Sequence, residues 1–254
     1  MKSYRGYLID LDGTLFRGTE VIPEALSFMD QLSKANIPYL YLTNNSSRPP
    51  EKVAEKLRDF GFPAAPDQVY TSAQATAQYL QDEMNSPSVF VIGEEGLVRA
   101  VAGAGCEITE DRPQAVVVGI DRQFTYEKMK KASLAIRAGA AFIGTNADRA
   151  LPTEEGLLPG SGSLSAGIAA ATGIEPLFIG KPQPIILRYA LQKLRTTPEE
   201  TLIVGDNLET DIRAGVNGGI DTLLVFTGIT TPEMAEQSSI RATYEVNRLS
   251  EWNI

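Results

Sequence analysis

The chain has 254 residues, 43% of them hydrophobic, enough to bury a sizeable core in one large domain or two smaller ones. A formal net charge of −9 disfavours phosphate-backbone binding, which rests on clustered Lys and Arg not seen in the sequence, so nucleic acid is not an expected partner. The absence of histidine removes Ser-His-Asp and Cys-His catalysis and His-based zinc sites, leaving proton transfer to carboxylates, Lys, Tyr or metal-bound water.

Short β-rich apolar runs alternate with amphipathic stretches, the pattern of βαβ units building a mostly parallel sheet. The first strand, Gly6-Tyr7-Leu8-Ile9, ends at Asp10-Leu11-Asp12-Gly13-Thr14. Pro23 opens a helix in which Leu26, Met29 and Leu32 recur at helical spacing up to Ala35, and a strand over 38–42 runs into Thr43-Asn44-Asn45-Ser46-Ser47. A helix over 51–60 closes at Gly61, and another over 72–81 is entered through a Ser N-cap. A second cycle begins near Ser88: strand 89–93, helix 95–104, strand 115–119, helix 126–138 and strand 141–144. Gly156 to Gly162 reads as a Gly-rich loop ahead of a small-residue helix over 163–171. Strand 176–179 ends in Gly180-Lys181-Pro182, strand 201–204 runs into Gly205-Asp206-Asn207-Leu208-Glu209-Thr210-Asp211, and a last strand, 221–226, ends in Thr227-Gly228.

No run approaches the ~18 to 20 apolar residues of a membrane span, and Met1-Lys2-Ser3-Tyr4-Arg5 leads into the first strand without a signal-peptide core. The single Cys106 forms no intrachain disulfide, which fits a reducing compartment, so a cytoplasmic protein with no membrane partner is expected.

Taken alone, D-x-D-G-T describes a surface turn as well as it describes a catalytic centre. An EF-hand loop is excluded, because Gly13 arrives too early and residues 14–16 supply too few oxygen ligands. Lys181 alone reads as a solvated lysine, Thr43 as a strand-end cap, and Asp206 with Asp211 as a helix cap favoured by the dipole. What separates these readings is the joint pattern. Four strands end in chemistry-bearing side chains, and in a parallel sheet such ends share one edge, where ligands bind.

Those four segments, D-L-D-G-T-L-F-R-G, Y-L-T-N-N-S-S-R, I-G-K-P and V-G-D-N-L-E-T-D-I-R-A-G, resemble in order the motifs of the haloacid-dehalogenase-like (HAD) phosphohydrolases, and are similar to the NagD-type branch with its nitrophenylphosphatase-like enzymes. The resemblance implies a doubly wound, Rossmann-like parallel-sheet core, residues 1–80 and 174–254, and an inserted α/β cap, residues 81–173, that closes over the site and shapes the leaving-group pocket. It implies Mg2+ held by the Asp10 carboxylate, the Asp12 carbonyl and Asp206, with Asn207 and Asp211 orienting a metal-bound water or Lys181. A cation is needed: a carboxylate approaching a phosphate dianion faces repulsion of about 4 kcal/mol per charge pair at about 4 Å with an effective dielectric near 20. Asp10 is then the nucleophile that forms an aspartyl-phosphate, and Asp12 the acid/base. Thr43, the Asn44 amide and Lys181 bind the phosphoryl oxygens.

In the cap, Asn146, Asp148 and Arg149 lie in a T-N-A-D-R segment similar to the T-N-x-D segment of the family, and read either as substrate contacts, with Arg149 favouring a carboxylate or second phosphate, or as a polar turn. The expected activity is Mg2+-dependent hydrolysis of small phosphate monoesters. The expected partner is a small phosphorylated metabolite, with sugar or acid-sugar phosphates preferred over nucleoside monophosphates, phosphoglycolate or pyridoxal phosphate. A non-catalytic sugar-phosphate-binding module is the reading from a different class. Family members of this kind associate through the cap, and a homodimer is the expected assembly. Cys106 and Arg112 match the C-x5-R spacing of cysteine phosphatases, but Glu107, Glu110 and Asp111 would repel phosphate there. Gly180-Lys181 lacks the first Gly and the Ser or Thr of a nucleotide P-loop.

Overall fold

A computed structural model describes residues 2–153 and 155–254. From the N-terminus, β1 (Gly6–Ile9) is followed by the hairpin β2 (Phe16–Arg17) and β3 (Glu20–Val21), then α1 (Pro23–Lys34), β4 (Tyr39–Thr43), α2 (Pro50–Asp59), β5 (Val69–Thr71) and α3 (Ser72–Met84). Next come β6 (Val89–Ile92), α4 (Glu95–Gly103), β7 (Ala115–Val118), α5 (Tyr126–Arg137), β8 (Ala141–Gly144), the pair β9 (Ala150–Thr153) and β10 (Gly156–Pro159), α6 (Ser161–Thr172) and β11 (Leu177–Phe178). The remainder is α7 (Pro184–Leu194), β12 (Thr201–Gly205), a π-helical turn (Leu208–Ile212) running into α8 (Arg213–Gly218), β13 (Asp221–Val225), α9 (Pro232–Gln237) and β14 (Tyr244–Val246).

The chain forms two compact units. The first comprises Met1–Thr43, Pro50–Tyr70 and Lys181–Ile254, and the second Asn44–Pro49 and Thr71–Gly180. The first unit is built on a six-stranded sheet in the order β14-β13-β12-β1-β4-β5. β1 pairs in parallel with both β12 and β4, and the chain proceeds outward from it in opposite directions, so the order of winding reverses between β1 and β12. Every residue of β1, β4 and β12 is buried, as expected of central parallel strands covered on both faces. α1 starts on Pro23, whose missing N–H is no loss at a first helical position, and packs Ala25, Phe28, Met29 and Leu32 into the core beside Tyr7, Ile9 and Tyr41.

The second unit has its own parallel sheet, β11-β8-β7-β6, with a separate core of Phe90, Ile92, Val116, Val118, Ile136, Phe142 and Ile168. Its boundaries differ from the expected ones. The divisions fall after residues 70 and 180 rather than 80 and 173, because α3 packs on α4 and β11 extends the sheet beside β8. The short strap 44–49 also belongs here: Ser47 accepts from the Gly96 amide, and the Ser46 hydroxyl accepts from the Ile120 amide and the Thr145 hydroxyl.

Three local readings are corrected. The N-cap of α3 is Thr71 rather than a serine, in a capping box with Gln74 that satisfies two backbone amides at once. The stretch expected as a Gly-rich loop is mostly strand: residues 156–159 pair antiparallel with β9, and α6 starts at Ser161. The strand before Lys181 pairs with β8 in the second unit, so Lys181 does not end a strand of the six-stranded sheet. No described helix is long and apolar enough to cross a membrane.

Candidate active site

The reversal of winding between β1 and β12 opens the crevice at which ligands bind in doubly wound sheets. β1 delivers Asp10 to its rim, β12 delivers Asp206, and the π-helical turn after β12 brings Asp211 back beside them. One oxygen from each of these three carboxylates lies within 4.8 Å of the others. The Asp206 and Asp211 side chains are buried, and the Asp10 side chain is 15% exposed.

Lys181 sits among the acids although no strand of their sheet carries it. The turn ahead of α7 buries it, and Nζ donates to Asp10 Oδ1 and Asp211 Oδ1, each at 2.6 Å. Burial alone would lower the lysine pKa, but the two carboxylates outweigh it and hold the ammonium above its ordinary range. Asp211 Oδ2 accepts from the Asn207 amide at 3.2 Å, so this carboxylate is fixed at both oxygens. The Asn207 side chain is used locally, its Oδ1 capping the Glu209 amide.

Asp206 is held from the loop after β13. The Ile229 amide donates to its Oδ2 at 2.7 Å and the Thr14 hydroxyl to its Oδ1 at 3.4 Å. Burial and the neighbouring Asp211 push the Asp206 carboxyl up to about 7, against the Ile229 bond and Lys181. Asp10 is also raised well above its ordinary value, by burial first and by Asp211 next, with Lys181 opposing. Three carboxylates with one ammonium leave uncompensated negative charge, which suits a hard, oxygen-seeking divalent cation.

Asp12 stands apart from the three. Its side chain is exposed and faces the β2–β3 hairpin, the Gly18 amide donating to its Oδ1 at 3.5 Å. Gly13 has φ +91°, and a Cβ there would come within 2.4 Å of Asp206 Oδ2, so the glycine both turns the chain and makes room for the acid. Thr43 is buried at the end of β4.

The remaining expected residues form a cluster in the second unit. Asn44 donates through Nδ2 to both Asp148 oxygens, at 3.3 and 3.1 Å, and its carbonyl accepts from Asn146 Nδ2 at 2.8 Å. Asn146 Oδ1 accepts from the Asp148 amide. Asn146 and Asp148 thus secure the strap residue Asn44, while the Arg149 side chain is exposed. Cys106 is buried, and burial raises its thiol pKa, which disfavours thiolate chemistry.

Sequence reading missed Gly228, Ile229 and Thr230. A Cβ on Gly228 would lie 1.9 Å from Asp206 Oδ2, and Thr230 donates its amide to the Asp206 carbonyl and accepts from the Leu208 amide. The signal available was the Thr227-Gly228 end of the last long strand.

A doubly wound core with three gathered carboxylates and a buried lysine at its switch point has the chemistry of a phosphoryl-transfer site. Comparison with known proteins agrees: residues 7–107 match the model described as haloacid dehalogenase-like hydrolase, and residues 178–252 match the HAD-hydrolase-like model. The chain is 51% identical over 252 residues to the 5'-nucleotidase YutF of Bacillus subtilis, covering 99% of this chain and 98% of that protein. It is 45% identical to the acid sugar phosphatase of Staphylococcus saprophyticus, covering 99% and 97%. NagD from E. coli K-12 superposes with a TM-score of 0.93 at 33% identity, covering 99% of each chain. The chain belongs to the haloacid dehalogenase-like hydrolase family, in its NagD-type branch. It is a phosphoric monoester hydrolase for small phosphate esters.

Proposed function

We propose that the protein hydrolyses small phosphorylated sugars or sugar acids with Mg2+ through an aspartyl-phosphate at Asp10. The observation that carries this reading is the gathering of Asp10, Asp206, Asp211 and Lys181 at the switch point of the sheet. Mg2+, held by Asp10, the Asp12 carbonyl and Asp206, would supply the positive charge that lets a carboxylate approach a phosphate dianion.

Asp10 attacks phosphorus through a carboxylate oxygen, forming a P–O bond as the bond to the leaving group breaks. Asp12 gives its proton to the departing alkoxide, then takes one from the water that cleaves the aspartyl-phosphate, which restores both acids and releases phosphate. Its exposed position, apart from the other three acids, suits a group that exchanges protons with substrate and water. Lys181, the Thr43 hydroxyl and the Asn44 amide hold phosphoryl oxygens, and Asp211 with the Asn207 amide fixes Lys181 for this task. The second unit selects the leaving group, and the exposed Arg149 guanidinium supports a preference for an acidic sugar. The acid sugar phosphatase relative supports the same preference.

A nucleoside monophosphate is the second reading, favoured by the relative described as a 5'-nucleotidase. A phosphate-release screen over sugar phosphates, phosphorylated sugar acids and nucleoside monophosphates separates the two; selectivity for nucleotides overturns the preference. Asp10→Asn abolishes turnover, and unchanged activity in that variant overturns the mechanism. A cytoplasmic location and a homodimer complete the proposal, the latter tested by sedimentation.

A further inference from the structure

Among the described residues, the side chain proposed to move the proton, Asp12, is held by one long bond from the Gly18 amide, whereas Asp10, Asp206 and Asp211 have shorter ones. Its surroundings are the β2–β3 hairpin. The backbone closes locally, with the Gly13 amide donating to the Phe16 carbonyl at 2.7 Å and Asp12 bridging to Phe16, so the hairpin is continuous with the catalytic turn. At the tip, Gly18 takes φ +60° and presents its amide to Asp12 Oδ1. A tip of this size has no core of its own, so its position depends on what grips it from outside.

Two grips are present. On one side Arg17 donates through Nε to the Thr227 carbonyl, and the Thr227 hydroxyl donates back to the Gly13 carbonyl at 2.7 Å. On the other side stands Lys56, from the last turn of α2. Its ammonium lies 4.2 Å from the Phe16 ring centroid and 5.2 Å from that of Phe60, the two rings meeting edge to face at 5.1 Å, and it donates to the Gly18 carbonyl at 3.3 Å. A lysine in the last turn of a helix ordinarily serves the helix dipole, which any cation satisfies in any direction. Lys56 instead lies over both rings and points at one carbonyl of the tip.

We propose that Lys56 is a positioning residue for Asp12, fixing the hairpin tip whose Gly18 amide orients the Asp12 carboxyl group for proton transfer to the leaving group. This rests on the reading of Asp12 as the acid. Lys56 touches no reacting atom. Its loss disturbs one step, protonation of the departing oxygen, and that step matters in proportion to how poor the leaving group is. An alkoxide needs the proton, whereas p-nitrophenolate departs without it.

The test compares kcat/KM for an alkyl phosphate, glycerol phosphate, with kcat/KM for p-nitrophenyl phosphate, on the full chain with Mg2+. This parameter reports on events up to the first phosphoryl transfer. Lys56→Met keeps the packing stem and removes the cation and donor; Lys56→Arg restores both. The expected result is a loss of roughly 10-fold on the alkyl ester and under about 2-fold on the aryl ester, a fraction of the roughly 10²-fold or more that general acid catalysis supplies. Lys56→Arg recovers most of the loss, and Asp12→Asn reproduces the pattern more strongly. An equal loss on both esters, or none, in Lys56→Met overturns the inference while Asp12→Asn still discriminates between them. If Asp12→Asn itself lowers both esters equally, the acid reading of Asp12 falls and the inference with it.

Discussion

Gly228→Ala tests whether the loop after β13 sets the position of Asp206. The added methyl carbon would lie 1.9 Å from Asp206 Oδ2 and 2.3 Å from its Cγ. A carbon and an oxygen rest at about 3.3 Å or more, so either the carboxylate or the loop moves by about 1.4 Å. The oxygen concerned is the one that accepts from the Ile229 amide at 2.7 Å, so the displacement falls on that bond. A misplacement of about 1 Å in catalytic geometry costs on the order of 10²-fold in rate, or about 2.7 kcal/mol of transition-state stabilisation. The assay is kcat with p-nitrophenyl phosphate at saturating Mg2+, alongside a Mg2+ titration that reads the metal affinity. Gly103→Ala is the control, since a Cβ there meets nothing within 4 Å; its activity stays at the parent value. Full kcat and unchanged Mg2+ affinity in Gly228→Ala would refute the claim that this loop fixes Asp206.

Lys181→Met removes the cation bonded to both Asp10 and Asp211; the metal-free protein loses about 3 to 5 kcal/mol of stability at neutral pH, read by urea unfolding, and phosphatase activity disappears. In chelator, stability falls as pH rises. Asp206 at about 7 and the raised Asp10 bind protons in the native state that the unfolded chain has already released, so their contribution is fully present below the ordinary carboxylate range and lost as pH climbs through 7. Urea midpoints near pH 5 and pH 8 check the sign, and Mg2+ at about 100 times its Kd restores about 2.7 kcal/mol at the higher pH. Thr71→Ala breaks the capping box of α3 and costs about 1 kcal/mol, read as a lower urea midpoint.

The core elements were legible because their signals are local. β1, β4 and β12 are apolar runs bounded by polar turns, and α1 shows its periodicity and its Pro. The acids of the site were legible for the same reason, each following a recognisable strand. What escaped was whatever depended on pairing. Within Gly156–Gly162, which reads as a Gly-rich loop, residues 156–159 are an exposed strand paired with β9, and no alternation of buried and exposed residues marks it. The strand before Lys181 looked like its neighbours, and only its register with β8 assigns it to the other sheet. Likewise Asn146 and Asp148 read either as substrate contacts or as a polar turn, and their bonds to Asn44, a hundred residues earlier, leave no trace in spacing. Gly228 carries no chemistry of its own, and its role is the space it leaves for Asp206.

The pairing of β1 with β12, Gly6 opposite Thr201, also dictates when the molecule can complete itself during synthesis. As the chain leaves the ribosome, β4 follows β1 closely, but the partner for the other edge of β1 comes only after the whole of Thr71–Gly180. That contiguous run holds all four strands of the second sheet, whereas the six-stranded sheet needs strands from both ends of the chain. Asp10 therefore waits most of translation for its partners, Lys181 first and then the two acids at 206 and 211. A polypeptide broken off before Thr201 carries the attacking carboxylate yet lacks Asp206 and Asp211, so prematurely terminated products release no phosphate.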